Sequence, residues 1–184
     1  FFLRQKTDSS LLQSMKYGVF SGGKRFRSAV VVNTGKIFKI DYNKLIVLGA
    51  AIECIHAYSL IHDDLPSMDD DDLRRGKPTV HKKFNEFTAM LAGNSLLTLA
   101  FEILAGNDLK ISKNYKNELI KTLSMCAGNS GLAGGQHSDL TFENKNISKK
   151  NIINMQKKKT GELFGFCCES IAIIKGEKIS TRKK

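Results

Sequence analysis

Apolar residues recur at three- and four-residue spacing along almost the whole chain, which is the period of an amphipathic helix. No convincing run alternates apolar and polar residues in the way of a half-buried strand. The spacing predicts helices over residues 9–20, 27–38, 42–62, 86–105, 113–129 and 149–174. Because no repeat and no Pro- or Ser-rich linker separates them, the pattern indicates a single all-α domain over residues 1–184.

The third predicted helix is apolar on almost every side between residues 45 and 61, which marks a buried central helix. Its few polar side chains share one face: Glu53, His56, Ser59 or Leu60, and Asp63. Burying such groups unpaired costs about 1–3 kcal/mol each, so they require partners or ligands. The third helix is therefore the first place to look for a functional site.

The formal charge of +11 comes mostly from lysine, concentrated in residues 145–159 and in the tail at 182–184. Such a positive charge suits binding to nucleic acid, to an anionic membrane surface or to anionic small substrates. The alternative is that the lysine excess only reflects the biased composition of AT-rich coding sequence. Because no aromatic residues are interleaved with these lysines, we expect no nucleic-acid partner.

Three further observations bear on where in the cell the protein is located. No run of about 18 apolar residues exists, so we expect no membrane span. The N-terminal residues lack the basic, apolar and small-residue order of a signal peptide. The four cysteines show no metal-ligand spacing and are typical of reduced thiols that lie mostly in a core, which favours a cytoplasmic protein.

An aspartate-rich stretch, HDDLPSMDDDD, directly follows the third helix. Pro66 disfavours helix at the residue before it, so a turn or bulge is expected there, and it can swing Asp69 back toward Asp63. Carboxylates that converge in this way repel one another unless a cation neutralises them. An all-oxygen ligand set favours Mg²⁺, or Mn²⁺, over zinc.

Two adjacent arginines, Arg74 and Arg75, follow the aspartates. Their guanidinium groups suit the oxygens of a diphosphate, which they can bind through two parallel hydrogen bonds. Metal-binding carboxylates beside anion-binding arginines indicate a metal-bridged phosphate ester. The alternative is a salt-bridged acidic loop without a ligand.

A second anion site is indicated by SGGKRFR at residues 21–27, where two glycines precede a helix and Lys24, Arg25 and Arg27 add charge. The stretch nearly matches a nucleotide-binding P-loop. Arg25 stands where that loop needs Ser or Thr, however, and the preceding segment is helical rather than a strand, so we reject that interpretation. A purely structural turn remains the alternative.

Later segments give weaker signals. In KKKTGE, Lys159 and Thr160 could contact a phosphate, or belong to a solvated lysine run. In GLAGGQHSDL, Gly134 and Gly135 would allow close helix approach, with Gln136 and Asp139 as nearby polar groups. His81 is either a pocket residue or a surface histidine in a loop, and His62 is expected to pack or hydrogen-bond rather than bind a ligand.

The segments GGKRFR, ECIHAYSLIHDDLPSMDDDDLRRGKPTVH, GGQHSDL and KTGELF, in this order, resemble the polyprenyl synthetase family of trans-prenyl diphosphate synthases, and within it the bacterial farnesyl-forming branch. The resemblance covers almost the whole chain. It implies an all-helical isoprenoid-synthase (terpenoid synthase) bundle around a cavity, usually dimeric. It also implies Mg²⁺-assisted condensation of isopentenyl diphosphate with an allylic diphosphate, dimethylallyl or geranyl.

The resemblance further implies roles for individual residues. Asp63 and Asp69 match metal ligands, with Asp64 between them. The isopentenyl diphosphate site is matched by Lys24, Arg27, His56 and Arg75, and the allylic diphosphate site by Arg74, Lys159 and Thr160. In catalysis the resemblance implicates Asp63, Asp64, Asp69, Arg74 and Lys159. Product length would be set just before the aspartates by Tyr58 and Ser59, where a large ring stops growth at farnesyl and smaller residues favour geranylgeranyl.

The family also carries a second aspartate-rich motif, and no pair of adjacent aspartates follows Asp139 in this sequence. We therefore expect a fragment of a synthase or a truncated relative. Two alternatives to a farnesyl diphosphate synthase activity stay open at this point. One is a geranylgeranyl diphosphate synthase, and the other is a non-catalytic, diphosphate-binding partner subunit.

Overall fold

A computed structural model describes residues 9–182. The first eight residues, which the sequence predicts not to form a signal peptide, and Lys183 and Lys184 of the basic tail lie outside the described residues. The helices are α1 (Ser10–Phe20), α2 (Phe26–Ile37), α3 (Tyr42–Asp63), α4 (Val80–Lys83), α5 (Glu86–Ala105), α6 (Lys113–Ala127), α7 (Leu132–Phe142), α8 (Lys149–Gln156), α9 (Glu162–Lys175) and α10 (Ile179–Arg182). A 3₁₀ turn covers Asn107–Leu109, and a π-helical segment, Lys157–Gly161, joins α8 to α9.

Helix ends follow local sequence signals. The side chains of Ser9, Ser112 and Ser148 each accept a hydrogen bond from a backbone N–H of the first turn of α1, α6 and α8. The helix α9 ends at Gly176, whose φ of 77° is the left-handed conformation that glycine adopts without steric cost. These caps explain why most predicted helix boundaries lie within a few residues of the observed ones.

A short antiparallel hairpin interrupts the helices where the sequence pattern predicts no strand. Strands β1 (Leu73–Arg74) and β2 (Lys77–Pro78) pair Leu73 with Pro78 and Arg74 with Lys77. The turn residues Arg75 and Gly76 both have positive φ, 56° and 74°, as a tight two-residue hairpin loop requires. The hairpin thus carries Arg74 at the end of β1 and Arg75 in its turn.

The described residues pack as two compact units. The first contains residues 9–26 and 50–103, and its fully buried side chains include Ile52, Ile55 and Leu96. The second contains residues 27–49 and 104–182, where α6 packs on α9. Its fully buried side chains include Leu119 and Phe166. Each such side chain contributes about 1.5–3 kcal/mol through burial of apolar surface.

Two helices, α3 and α5, are long and apolar enough to cross a membrane by length and composition alone. Their most apolar 18-residue windows have mean hydropathies of 1.6 and 1.5, although neither is an unbroken apolar run. Within the structure 72% and 50% of these windows are buried, as in the core helices of soluble proteins, which pass the same test. Their length and composition are therefore weak evidence for a span.

Candidate active site

The aspartate-rich stretch forms a turn that returns to the end of α3. The N–H of Asp69 donates a hydrogen bond of 2.8 Å to the carbonyl of Asp63, and the N–H of Met68 donates one of 2.8 Å to the carbonyl of Leu65. The regular helix ends at Asp63, close to Pro66, as the sequence predicts. The backbones of Asp63 and Asp69 are therefore adjacent, with Asp63 half-buried and Asp69 exposed.

Asp64 forms an ion pair with Arg74 of the hairpin. The Nε of Arg74 donates to both carboxylate oxygens of Asp64, at 2.7 and 3.0 Å, and a terminal guanidinium nitrogen donates at 2.5 Å. Asp64 is 2% exposed, and its burial raises the pKa of the carboxyl while Arg74 opposes that shift. The hydrogen bonds to Asp64 in turn raise the pKa of Arg74. No spacing pattern in the sequence pairs these two residues.

The glycine turn between α1 and α2 meets the other arginine of the hairpin. Gly22 and Gly23 have φ values of 102° and 111°, and the guanidinium of Arg75 donates to the carbonyl of Gly22. It lies so close to Gly23 that a Cβ there would overlap it. Lys24, which follows this turn, is exposed.

Arg25 has a different position from the one that the sequence suggests. Its guanidinium donates to a carboxylate oxygen of Glu53 at 3.0 Å and to the carbonyl of Val19. The charge counted above as part of an anion site thus lies against Glu53 of α3, where it serves the packing of the first unit. This partner also accounts for Glu53 in the polar face of α3.

Four other residues on that face of α3, or next to it, make contacts within the helix or with α5. Ser59 donates from its hydroxyl to the carbonyl of His56 at 2.9 Å, and His56 is half-buried. Tyr58 is 8% exposed, and its ring meets that of His62 edge-on at 5.8 Å. Burial raises the pKa of Tyr58 to about 12. The expectation that His62 hydrogen-bonds within the protein is confirmed, because its Nε2 lies 3.0 Å from the carbonyl of Met90.

In the second unit, Lys159 lies on the π-helical segment and its Nζ is 2.5 Å from Oδ2 of Asp139 on α7. The two elements approach so closely that a Cβ on Gly135 would overlap the backbone of Lys158 and Lys159. The predicted role of Gly135 in close approach is thus confirmed. Thr160 is exposed on the same segment, and a single π-helical turn of this kind is frequent at functional sites.

Two further basic and polar groups of the second unit are half-buried or buried. The guanidinium of Arg27 lies 4.5 Å from the ring centroid of Phe164. Gln136 on α7 is 5% exposed, yet neither its amide oxygen nor its nitrogen has a hydrogen-bond partner among the described residues. Buried amides are normally paired, so this one is a candidate ligand contact, whereas the sequence pattern marks Gln136 only as a polar group near the glycine pair.

Two aspartates and a histidine in the described residues have the spacing of a metal site, and Asp63 and Asp69 are not among them. Carboxylate oxygens of Asp70 and Asp72 and a ring nitrogen of His81 all lie within 4.8 Å of one another. His81 belongs to α4 and is 6% exposed, so the alternative of a surface histidine in a loop is wrong.

The sequence model of the family described as polyprenyl synthetase matches residues 8–184. The farnesyl diphosphate synthase of Escherichia coli K12 is 44% identical over 172 residues, which are 93% of this chain and 58% of that protein. The chain therefore spans less than two thirds of the length of this relative.

Two solved structures share the fold. A farnesyl/geranylfarnesyl diphosphate synthase (FPP/GFPP synthase) from Zymomonas mobilis superposes with a TM-score of 0.93 at 43% identity, covering 99% of this chain and 68% of that one. An isoprenoid synthase family member from Thermotoga neapolitana gives 0.87 at 32%, covering 99% and 69%. The predicted all-α isoprenoid-synthase fold is confirmed.

Proposed function

Because this chain belongs to the polyprenyl synthetase family, we propose that the protein is a farnesyl diphosphate synthase-type prenyltransferase, which joins isopentenyl diphosphate to dimethylallyl or geranyl diphosphate. The observation that carries this proposal is the turn in which Asp69 returns to Asp63 beside the Asp64–Arg74 ion pair. It gathers carboxylates for a cation and a guanidinium for a diphosphate in one place. The proposed cytoplasmic location rests on the family and on the cysteine pattern alone.

Asp63 and Asp69 are the residues that would hold Mg²⁺, with Mn²⁺ as a substitute. Their donor atoms fit this ion, because both are carboxylate oxygens and the turn keeps the two residues adjacent. When bound, the ion would supply positive charge that stabilises the departing diphosphate. Asp64 has a positioning role in this proposal, since it is buried and holds the guanidinium of Arg74 by three hydrogen bonds.

The basic residues divide between the two substrates. Lys24, Arg27, His56 and Arg75 would bind isopentenyl diphosphate; the contact of Arg75 with the glycine turn supports this, because it brings a guanidinium to the segment that carries Lys24. Arg74, Lys159 and Thr160 would bind the allylic diphosphate. The ion pair of Lys159 with Asp139 would hold the lysine in place between turnovers.

The bonds change in a simple order. The carbon–oxygen bond of the allylic diphosphate breaks, and the electron pair leaves with the diphosphate. The double bond of isopentenyl diphosphate then attacks the allylic cation to form a carbon–carbon bond. A proton is lost to the released diphosphate, so no protein base is needed. Fixed positive groups around the diphosphate favour the first step because they are already in place when its charge develops.

Farnesyl, rather than geranylgeranyl, is the proposed product length. Tyr58 is large, buried and one turn before the aspartates, and its contact with the His62 ring supports a fixed position. Such a ring would block the end of the cavity into which the product chain grows.

A homodimer is the proposed assembly. On α5, Phe87, Met90 and Leu91 lie on one face and are 69%, 42% and 49% exposed. Exposed apolar patches of this kind commonly mark interfaces, and a second copy of the chain is the partner that the family implies. Light scattering of wild type and of a Leu91→Lys variant measures this directly; equal masses for the two would contradict the assignment.

The site assignment is tested with Asp63→Asn and Asp69→Asn. Each removes one carboxylate charge with little change of shape, and each should lower kcat/KM for condensation about 100- to 1000-fold. Glu102→Gln, an exposed carboxylate of α5, is the matched control and should leave activity unchanged. Circular dichroism verifies that all three variants fold. Wild-type activity in both aspartate variants would refute the assignment.

A further inference from the structure

The side chains of Asp70, Asp72 and His81 form a cluster beyond the Asp63–Asp69 pair. Their candidate ligand atoms lie within 4.8 Å of one another, although they come from the aspartate-rich turn and from α4. Both aspartates are exposed, and exposed acidic groups often lie close together without a ligand. The histidine is the informative member.

The hydrogen bonds around His81 define which nitrogen is available. Its Nδ1 lies 3.1 Å from the hydroxyl of Thr79, and that hydroxyl lies 2.9 Å from the carbonyl of Asp71. A carbonyl can only accept, so the single hydroxyl hydrogen of Thr79 goes to Asp71. The hydroxyl then accepts from Nδ1–H, and Nε2 carries the lone pair.

That lone pair is buried and has no hydrogen-bond partner among the described residues. His81 is 6% exposed, so water reaches it poorly. A buried acceptor without a partner is costly unless something binds it. Metal-binding histidines typically donate their second ring N–H to a neighbouring oxygen, which is the arrangement with Thr79.

We propose that Asp70, Asp72 and His81 form a second divalent-metal site, which takes a transition metal such as Mn²⁺, Co²⁺ or Zn²⁺. Imidazole nitrogen favours these ions, whereas Mg²⁺ prefers ligand sets made of oxygen alone. The bound ion would tie the aspartate-rich turn to the start of α4. The hairpin that carries Arg74 and Arg75 lies between these two segments in the chain, so both of its ends would be fixed. This proposal does not depend on the proposed reaction.

Lys82 competes with the metal. Its Nζ lies 2.8 Å from Oδ1 of Asp72, and both side chains are largely exposed. The ion pair raises the pKa of Lys82 and lowers that of Asp72. A cation binding at Asp72 must displace or repel this ammonium group, so the lysine should weaken the site.

The test is a Mn²⁺ titration of the protein without substrate, with free Mn²⁺ measured by electron paramagnetic resonance. Electron spin echo modulation on the bound ion then reports directly coordinated ¹⁴N. We expect nitrogen coupling in the wild type, lost in His81→Gln, with affinity reduced about tenfold or more in His81→Gln, Asp70→Asn and Asp72→Asn. Lys82→Met should raise the affinity about two- to fivefold.

The controls separate this site from other Mn²⁺ sites. His137→Gln replaces an exposed histidine of the second unit and Asp41→Asn an exposed aspartate; both should retain the coupling and the affinity. Because His81 is buried, its variant is checked by circular dichroism, and the exposed Asp70 and Asp72 carry the same prediction without a folding risk. Absence of nitrogen coupling in the wild type, or its persistence in His81→Gln, would overturn the proposal.

Discussion

The ion pair between Arg74 and Asp64 explains how an almost fully buried carboxylate is tolerated at the end of α3. Three hydrogen bonds from one guanidinium satisfy both oxygens of Asp64, and Asp71 adds a weaker contact to Arg74 at 3.5 Å. These hydrogen bonds also fix the orientation of the Arg74 guanidinium, which we assign to diphosphate binding. One residue therefore links the stability of the turn to its proposed function.

Arg74→Ala should reveal this link. It leaves the Asp64 carboxylate buried without its partner, and we expect the free energy of unfolding to fall by about 3 kcal/mol. Adding Asp64→Asn removes the stranded charge and should recover part of that loss. Urea denaturation measures both changes. Lys82→Ala, which breaks the exposed pair with Asp72, is the control and should change little; an equal effect from both single variants would contradict the argument.

Tyr58→Ala tests the chain-length assignment. Removing a buried ring opens space before the aspartates, so the main product should lengthen from farnesyl toward geranylgeranyl, as read by mass after dephosphorylation. The cavity also costs about 3–5 kcal/mol of stability, so the assay is run at low temperature. Ser59→Ala changes the volume little and should keep the wild-type product. If Tyr58→Ala still stops at farnesyl, the ring does not set the length.

At the residue scale, the sequence identifies the charged residues of the candidate site better than it identifies their side-chain partners. The return of Asp69 to Asp63 is predicted from Pro66 and from the end of an apolar helix. The structure shows it as a hydrogen bond from the N–H of Asp69 to the carbonyl of Asp63. The pairing of Asp64 with Arg74 depends on a hairpin ten residues away, which no spacing rule encodes. Arg25 shows the same limit, because its partner Glu53 is defined only by tertiary packing.

At the element scale, α7 and the π-helical segment form a close backbone contact within the second unit. Gly135 allows the backbones to approach, and Lys159 and Asp139 form an ion pair across the same contact. Lys159 and Thr160 lie within the π-helical turn, which orients their side chains differently from a continuous α-helix. The positions of Lys159 and Thr160 thus depend on residue 135 being a glycine, which has no side chain.

Gly135→Ala should destabilise this contact. The added methyl group would overlap backbone rather than a movable side chain, so we expect a loss of about 2 kcal/mol in the free energy of unfolding. Gly165→Ala is the matched control, because it lies inside α9 with open space around it and should stabilise by about 0.5–1 kcal/mol. Thermal denaturation compares the two. Opposite shifts support the close contact, and two stabilised variants would refute it.

The helices themselves follow from apolar spacing and capping serines, so all six predicted segments are helical for most of their length. The last prediction, residues 149–174, merges α8, the π-helical segment and α9, because a one-residue change of register leaves the apolar spacing almost intact. The hairpin, α4 and α10 are too short for periodicity to detect. The helix α7 was missed because its glycines weaken the helical pattern.

At the scale of the whole molecule, the chain belongs to the polyprenyl synthetase family but spans only part of the length of its relatives. The question is whether the residues present suffice for catalysis. The described residues contain the aspartate-rich turn and its arginines in one compact unit, and Lys159 and Thr160 in the other. Each unit carries part of the basic and acidic chemistry that the proposed condensation needs. The central claim is that this chemistry turns over diphosphate substrates rather than only binding them.

The most direct test is a condensation assay with isopentenyl and geranyl diphosphates, run with Mg²⁺ and with a chelator, and with the product identified by mass after dephosphorylation. We predict farnesol in the presence of Mg²⁺ and none with the chelator. Folded protein that binds diphosphate in the presence of Mg²⁺ but forms no product would contradict the proposed enzyme and favour a non-catalytic partner subunit.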